Sequence, residues 1–95
     1  MIESQQQLLE RAAQRSRLNF TELAKQLGVS RQAISQFRYG APMSTEIALR
    51  LAKLVKDEPE YIVACIEHNK AARLGRTDEL SVWEKLARLS RKPKE

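Results

Sequence analysis

Two short amphipathic segments, separated by only three residues, constrain the fold of this chain more than any other feature of its sequence. Apolar residues recur at helical spacing in both segments, and they are Phe20, Leu23, Ala24, Leu27, Ala33, Ile34 and Phe37. Gly28 can take the positive φ of a tight turn, and Ser30 is a good N-cap for the second segment. The sequence therefore predicts two helices, from about Phe20 to Leu27 and from Arg31 to Arg38, that cross closely at the small residue Ala24.

The remainder of the chain is also predicted to be helical. Leu, Ala, Gln, Glu, Lys and Arg are abundant, whereas Gly and Pro number three each, and this composition favours helices over a sheet. Apolar periodicity and candidate caps predict further helices over about 4–17, 45–56, 59–74 and 78–90, with Thr77 as the cap of the last. Ninety-five residues suffice for one domain, so the predicted fold class is all-α.

The charge distribution narrows the choice of partner. The formal net charge is +5, which suits an anionic partner but does not distinguish nucleic acid from acidic proteins or membrane surfaces. The excess lies in residues 20–44 and 75–95, whereas residues 45–74 are neutral. One of the two basic regions thus contains the paired short helices.

Two short helices joined by a turn of three residues form a helix-turn-helix, whose second helix can lie in the major groove of DNA. The chain resembles the lambda-repressor-like (Cro/XRE-type) helix-turn-helix family over roughly residues 5–67. The resemblance rests on the pattern Leu23-Ala24-x-x-Leu27-Gly28-Val29-Ser30-x-x-x-Ile34-Ser35-x-x-x-x-Gly40. It implies a five-helix DNA-binding domain, which we place at 1–74 with its motif at 20–37. The residue pattern adds a C-terminal helix within 75–90 and a basic tail over 91–95.

The polar face of the second motif helix carries the candidate base-reading side chains, which are Arg31, Gln32, Ser35 and Gln36. Arginine can donate two hydrogen bonds to guanine, and glutamine can pair with adenine through two bonds. The resemblance implies that Arg31, Gln32 and Gln36 face base edges. Taken alone, a polar helix face is usually only solvated, so the surrounding motif carries this interpretation.

Candidate phosphate contacts lie at the start of the first motif helix and after the end of the second. They are Asn19, Thr21, Arg38, Tyr39 and Ser44. Some relatives have a glutamine where this chain has Phe20, and we expect Phe20 to pack instead.

The C-terminal helix has an apolar face formed by Leu80, Trp83, Leu86 and Ala87. This face can pack on the chain's own domain or pair with a second copy. Pairing is favoured, because repressors of this architecture bind as two-fold dimers with recognition helices about 34 Å apart. The tail is either solvated or a further contact to the DNA backbone.

The function predicted is that of a sequence-specific, double-stranded DNA-binding transcriptional regulator, a homodimeric repressor of a palindromic operator. The resemblance extends to small bacteriophage repressors, which suits a chain without a ligand-sensing or protease-like domain. The alternative is an antitoxin that autoregulates its operon and covers a toxin with its last helix or tail. A protein partner could therefore be a toxin or an antirepressor.

Other classes of function find no support in the residue pattern. Cys65 and His68 are three residues apart, but a zinc site needs three or four ligands, and a buried structural cysteine is the simpler interpretation. We expect no enzyme activity, metal or cofactor. The absence of a signal-peptide pattern and of a long apolar run predicts a cytoplasmic protein without a membrane span.

Overall fold

The computed structural model describes residues 2–90. This part of the chain contains six helices and no strand, so the predicted all-α class is confirmed. The helices are α1 (Gln5–Ser16), α2 (Phe20–Leu27), α3 (Arg31–Arg38), α4 (Thr45–Val55), α5 (Pro59–Arg73) and α6 (Thr77–Ser90). The basic tail predicted at 91–95 lies outside the described residues.

Side-chain caps fix where the helices begin. At α2, Asn19 Oδ1 accepts from the Glu22 amide at 2.8 Å, while the Glu22 carboxylate accepts from the Asn19 amide at 3.0 Å. This reciprocal capping box satisfies two amides at the helix start. Ser30 caps α3 in the same position, since its hydroxyl accepts from the Ala33 amide at 3.0 Å. Thr77, predicted as a cap, is instead the first helical residue of α6.

The core lies where α4 meets α1 and α5, with α2 and α3 packed on one side of this group and α6 along α5. Its largest fully buried aliphatic side chains come from all five of the first helices: Leu8, Leu9, Leu23, Leu27, Ile34, Leu51, Val55, Ile62 and Ile66. Cys65 is also buried here, which confirms its interpretation as a core residue. This arrangement leaves one face of α3 at the surface.

A polar network ties the N-terminal segment to the rest of the core. Arg11 donates to Glu3 at 2.8 and 3.2 Å and to Asp57 at 3.1 Å. The Tyr61 hydroxyl donates to Glu3 at 2.9 Å. Burial, together with hydrogen bonds involving Cys65 and Glu3, raises the pKa of Tyr61, so its phenol stays a neutral donor. The network therefore joins α1, the α4–α5 turn and α5.

The packing of α6 places the predicted dimerisation residues in different environments: Leu80 and Trp83 are half-buried, Ala87 is buried and Leu86 is exposed. Ala87 is fully buried against the chain's own core, and Trp83 is half-buried against the same core, so this face of α6 belongs to the interior of one molecule. His68 of α5 and Glu84 of α6 also link these two helices, since their Nε2 and Oε2 atoms are 3.1 Å apart. Leu86 stays 44% exposed, and Val82 and Leu89 beside it are each 52% exposed. The apolar surface that α6 leaves open thus includes Leu86 of the predicted residues, together with Val82 and Leu89.

Candidate nucleic-acid interface

The angle between α2 and α3 is set by the turn at Gly28. Gly28 has φ +74°, and the next amide, that of Val29, donates back to the Ala24 carbonyl at 2.9 Å. From α4, Arg50 Nη1 donates to the Leu27 carbonyl at 2.9 Å, so a third helix holds the end of α2. These bonds satisfy the carbonyls that a helix end leaves without partners, and they fix the direction in which α3 departs.

The candidate base-reading side chains share the outer face of α3. Arg31, Gln32 and Gln36 are exposed, whereas Ile34 and Phe37 on the opposite face are buried. Ser35 is half-buried, and its hydroxyl accepts from Arg31 Nη1 at 2.8 Å. Arg31 is therefore oriented along the helix surface by Ser35, and the two glutamines stand free of such a contact among the described residues.

The ring of Phe20, the first residue of α2, lies against two arginines of α3. Its ring centre lies 4.6 Å from the guanidinium carbon of Arg38 and 5.5 Å from that of Arg31, within the range of a cation–π contact. Phe20 also packs against the core, as expected. Arg38 is further held by Glu10 at 3.9 Å, and its Nε atom is buried with no hydrogen bond in the described part of the chain. Arg38 is consequently more constrained than a freely exposed phosphate contact.

The segment after α3 is anchored from two distant helices. The side-chain amide of Gln5, a buried residue of α1, donates to the carbonyls of Phe37 and Ala41, each at 2.9 Å. Arg73 Nη1, from the last helical residue of α5, donates to the Gly40 carbonyl. Tyr39 meanwhile projects outward and is 86% exposed. The segment presents Tyr39 to solvent while its own backbone is fixed.

The remaining predicted phosphate contacts are exposed and lie at helix starts. Asn19 and Ser44 act as N-caps through their side-chain oxygens, with Ser44 Oγ accepting from the Ile47 amide at 3.3 Å. Each retains a side-chain donor, the NH2 group of Asn19 and the hydroxyl of Ser44, that can form a hydrogen bond to a phosphate oxygen. Thr21, in the first turn of α2, is also exposed. All three side chains are therefore accessible to a ligand that approaches this surface.

The outer face of α3 borders an open depression of about 530 Å³. Its lining combines three predicted base-reading residues with the segment after α3 and the end of α5: Gln32, Ser35, Gln36, Tyr39, Ala41 and Arg73. Gln5 and Arg73 were missed by sequence reasoning. Gln5 could have been found, since it lies in line with Leu8, Leu9 and Ala12 and is thus a polar residue on an apolar helical stripe.

No family model, curated protein or solved structure matches the chain. Residues 2–90 contain no group of three or more His, Cys, Asp and Glu side chains placed to hold a metal ion. Within the same range, every helix is too short or too polar to cross a bilayer.

Proposed function

We propose that this chain is a sequence-specific, double-stranded DNA-binding protein of the helix-turn-helix type, acting as a homodimeric transcriptional repressor. The observation that carries the proposal is the division of α3 into two faces. Its inner face is buried against α2 and the core, and its outer face presents Arg31, Gln32 and Gln36. Arginine and glutamine are the side-chain types that pair with the edges of guanine and adenine, respectively, in the major groove.

The dimensions of α3 support the same proposal. With its side chains an α-helix is about 10–12 Å in diameter, so a major groove about 12 Å wide admits α3, whose eight residues are about 12 Å long. The exposed polar residues Thr21 and Tyr39 flank α3 at the start of α2 and beyond the end of α3, where the two backbone strands of a bound duplex would pass. Bound at a promoter, such a protein represses by occluding it.

Selection of bound duplexes from random DNA tests the proposal directly. At about 150 mM salt, nonspecific binding to phosphates weakens, whereas hydrogen bonds to bases persist. We expect an enriched motif with dyad symmetry. Binding that is lost in salt without any enriched motif contradicts the proposal.

Gln32→Ala is expected to weaken binding to the selected site by about 1–3 kcal/mol for each half-site and to relax base preference at one position in each half-site. The reason is that one bidentate contact per half-site is lost while the backbone contacts remain. Titrations against the selected duplex and against single-base variants measure both effects. Gln14→Ala, which alters an exposed glutamine of α1, is the matched control and should change neither. An equal loss on all duplexes removes Gln32 from the base-reading set.

Dimerisation is proposed through the open face of α6. Val82, Leu86 and Leu89 are spaced four and three residues apart, as in the seam of two paired helices, and all three are exposed. Leu86 also borders an apolar cleft of about 400 Å³ that includes Leu49, itself 43% exposed. A second copy of α6 would cover this stripe, and a two-fold axis there matches the dyad symmetry proposed for the operator.

Leu86→Lys is expected to convert dimers to monomers and to weaken binding to the full palindrome, because a charge would be buried in the centre of the stripe. Sedimentation equilibrium measures the change in mass, and circular dichroism checks that the helices persist. Leu74→Lys is the control, since Leu74 is 52% exposed but lies before α6. A dimeric Leu86→Lys variant places the interface elsewhere.

A further inference from the structure

Arg73 is the one arginine of α5, and its side chain lies at the depression beside the outer face of α3. Its Nη1 atom donates to the carbonyl of Gly40 in the segment after α3. Its side chain lines the same depression as Gln32, Gln36 and Tyr39, although it is more than thirty residues away from them in the sequence. The fold thus places a cation from a separate helix beside the proposed reading face.

The charge of Arg73 has no acidic counterpart among residues 2–90. Arg38 lies 3.9 Å from Glu10, and Arg50 lies 2.9 Å from Glu46, so both have carboxylate partners. No carboxylate in the described part of the chain lies within ion-pair distance of Arg73, which is exposed. A basic residue in the last turn of a helix is favoured by the helix dipole, but that effect requires no contact with Gly40.

The bond to Gly40 orients the guanidinium and leaves it most of its donors. A guanidinium carries five N–H groups in a planar fork, and the Gly40 carbonyl occupies one nitrogen, Nη1. The remaining N–H groups match the geometry of a phosphate, which an arginine can bind with two parallel hydrogen bonds. Because the side chain is anchored at Gly40, little rotational freedom remains to be lost on binding.

We propose that Arg73 binds a phosphate of the DNA backbone at the edge of the site read by α3. This inference rests on the proposed function. A phosphate is the expected ligand rather than a base, because the anchored guanidinium lies beyond the end of α3, with Tyr39 and the segment around Gly40 beside it. Arg73 would then fix the register of the duplex against α3, and α5 would join α2 and α3 as an element that positions the DNA.

The dependence of binding on salt tests this assignment. Each phosphate neutralised by a protein cation contributes about 0.9 to the slope of log K against log salt for duplex DNA. For each subunit of the dimer, Arg73→Gln is therefore expected to reduce that slope by about one and to lower affinity roughly tenfold, alike on the selected duplex and on unrelated duplexes. Arg88→Gln is the matched control, because it removes the same charge from an exposed position on α6. Arg73→Lys should retain most of the slope, since the charge is kept.

Three outcomes overturn the assignment. An unchanged slope with reduced affinity means that Arg73 only supports the segment at Gly40. A loss confined to particular base pairs makes Arg73 a base contact instead. Equal slopes for Arg73→Gln and Arg88→Gln mean that only net charge matters. If the wild-type chain itself selects no motif, the proposed function fails, and the assignment of Arg73 fails with it; a wild-type motif with any of the three outcomes refutes Arg73 alone.

Discussion

Replacing Gln5 with leucine lowers the free energy of unfolding by about 1–3 kcal/mol, although leucine is apolar and the site is buried. Gln5 is only 3% exposed, and its side-chain amide donates to the carbonyls of Phe37 and Ala41. Leucine fills similar space but donates to neither, so the Ala41 carbonyl loses this donor and the Phe37 carbonyl keeps only the amide of Gly40, at 3.1 Å, among the described residues. A buried group left without a hydrogen bond costs about 1–3 kcal/mol.

Urea unfolding followed by circular dichroism measures this loss. Gln6→Leu makes the same chemical change one residue further on, where the side chain is exposed and donates to Glu10 at 3.3 Å. That control should change stability by no more than about 0.5 kcal/mol. Equal stabilities for the two variants contradict the role given to Gln5.

The Gln5→Leu variant also allows DNA binding to be tested separately from stability. The bonds from Gln5 are one of two side-chain anchors of the segment that follows α3, the other being Arg73, so their loss loosens Tyr39 and Gly40. At a temperature where the variant is still folded, DNA affinity should fall on all sequences, since this segment is proposed to meet phosphates. The order of base preference should remain, because Gln32 and Gln36 are carried by α3 itself.

The helices were predictable because their determinants are local. A cap and its target lie three residues apart, and the apolar residues of one face lie three or four apart, so α2 and α3 were predicted with the bounds that the structure has. The exposure of Arg31, Gln32 and Gln36 followed from the same periodicity. Their reading of bases stays a prediction.

The features that could not be predicted from the sequence depend on contacts between residues that are far apart along the chain. Arg50 reaches the end of α2 across 23 positions, and Arg73 reaches Gly40 across 33. Nothing in the local pattern around either arginine indicates its acceptor. The face of α6 posed a different difficulty, because α6 has two apolar stripes. Only the position of α5 decides that Ala87 turns inward while Val82 and Leu89 stay outside.

Gly28→Ala has the second large expected effect, a loss of about 2–3 kcal/mol of stability. An alanine in the left-handed region costs about 1–2 kcal/mol, and Gly28 has φ +74°. A Cβ added at this position would lie 2.5 Å from Arg50 Nη1. The guanidinium would have to move, and its bond to the Leu27 carbonyl would be weakened or lost, which adds about 1 kcal/mol.

Gly75 supplies a control with the same backbone conformation and no neighbour. Its φ is +73°, and an added Cβ would meet nothing within 4 Å. Gly75→Ala should therefore show only the conformational cost, and thermal or urea unfolding of the two variants gives the contribution of Arg50 as their difference. If that difference arises from Arg50, combining Gly28→Ala with Arg50→Met should cost less than the sum of the separate losses, since the same bond cannot be lost twice. Strict additivity would mean that Arg50 and Gly28 act independently, and that the added Cβ does not disturb the bond from Arg50 to the Leu27 carbonyl.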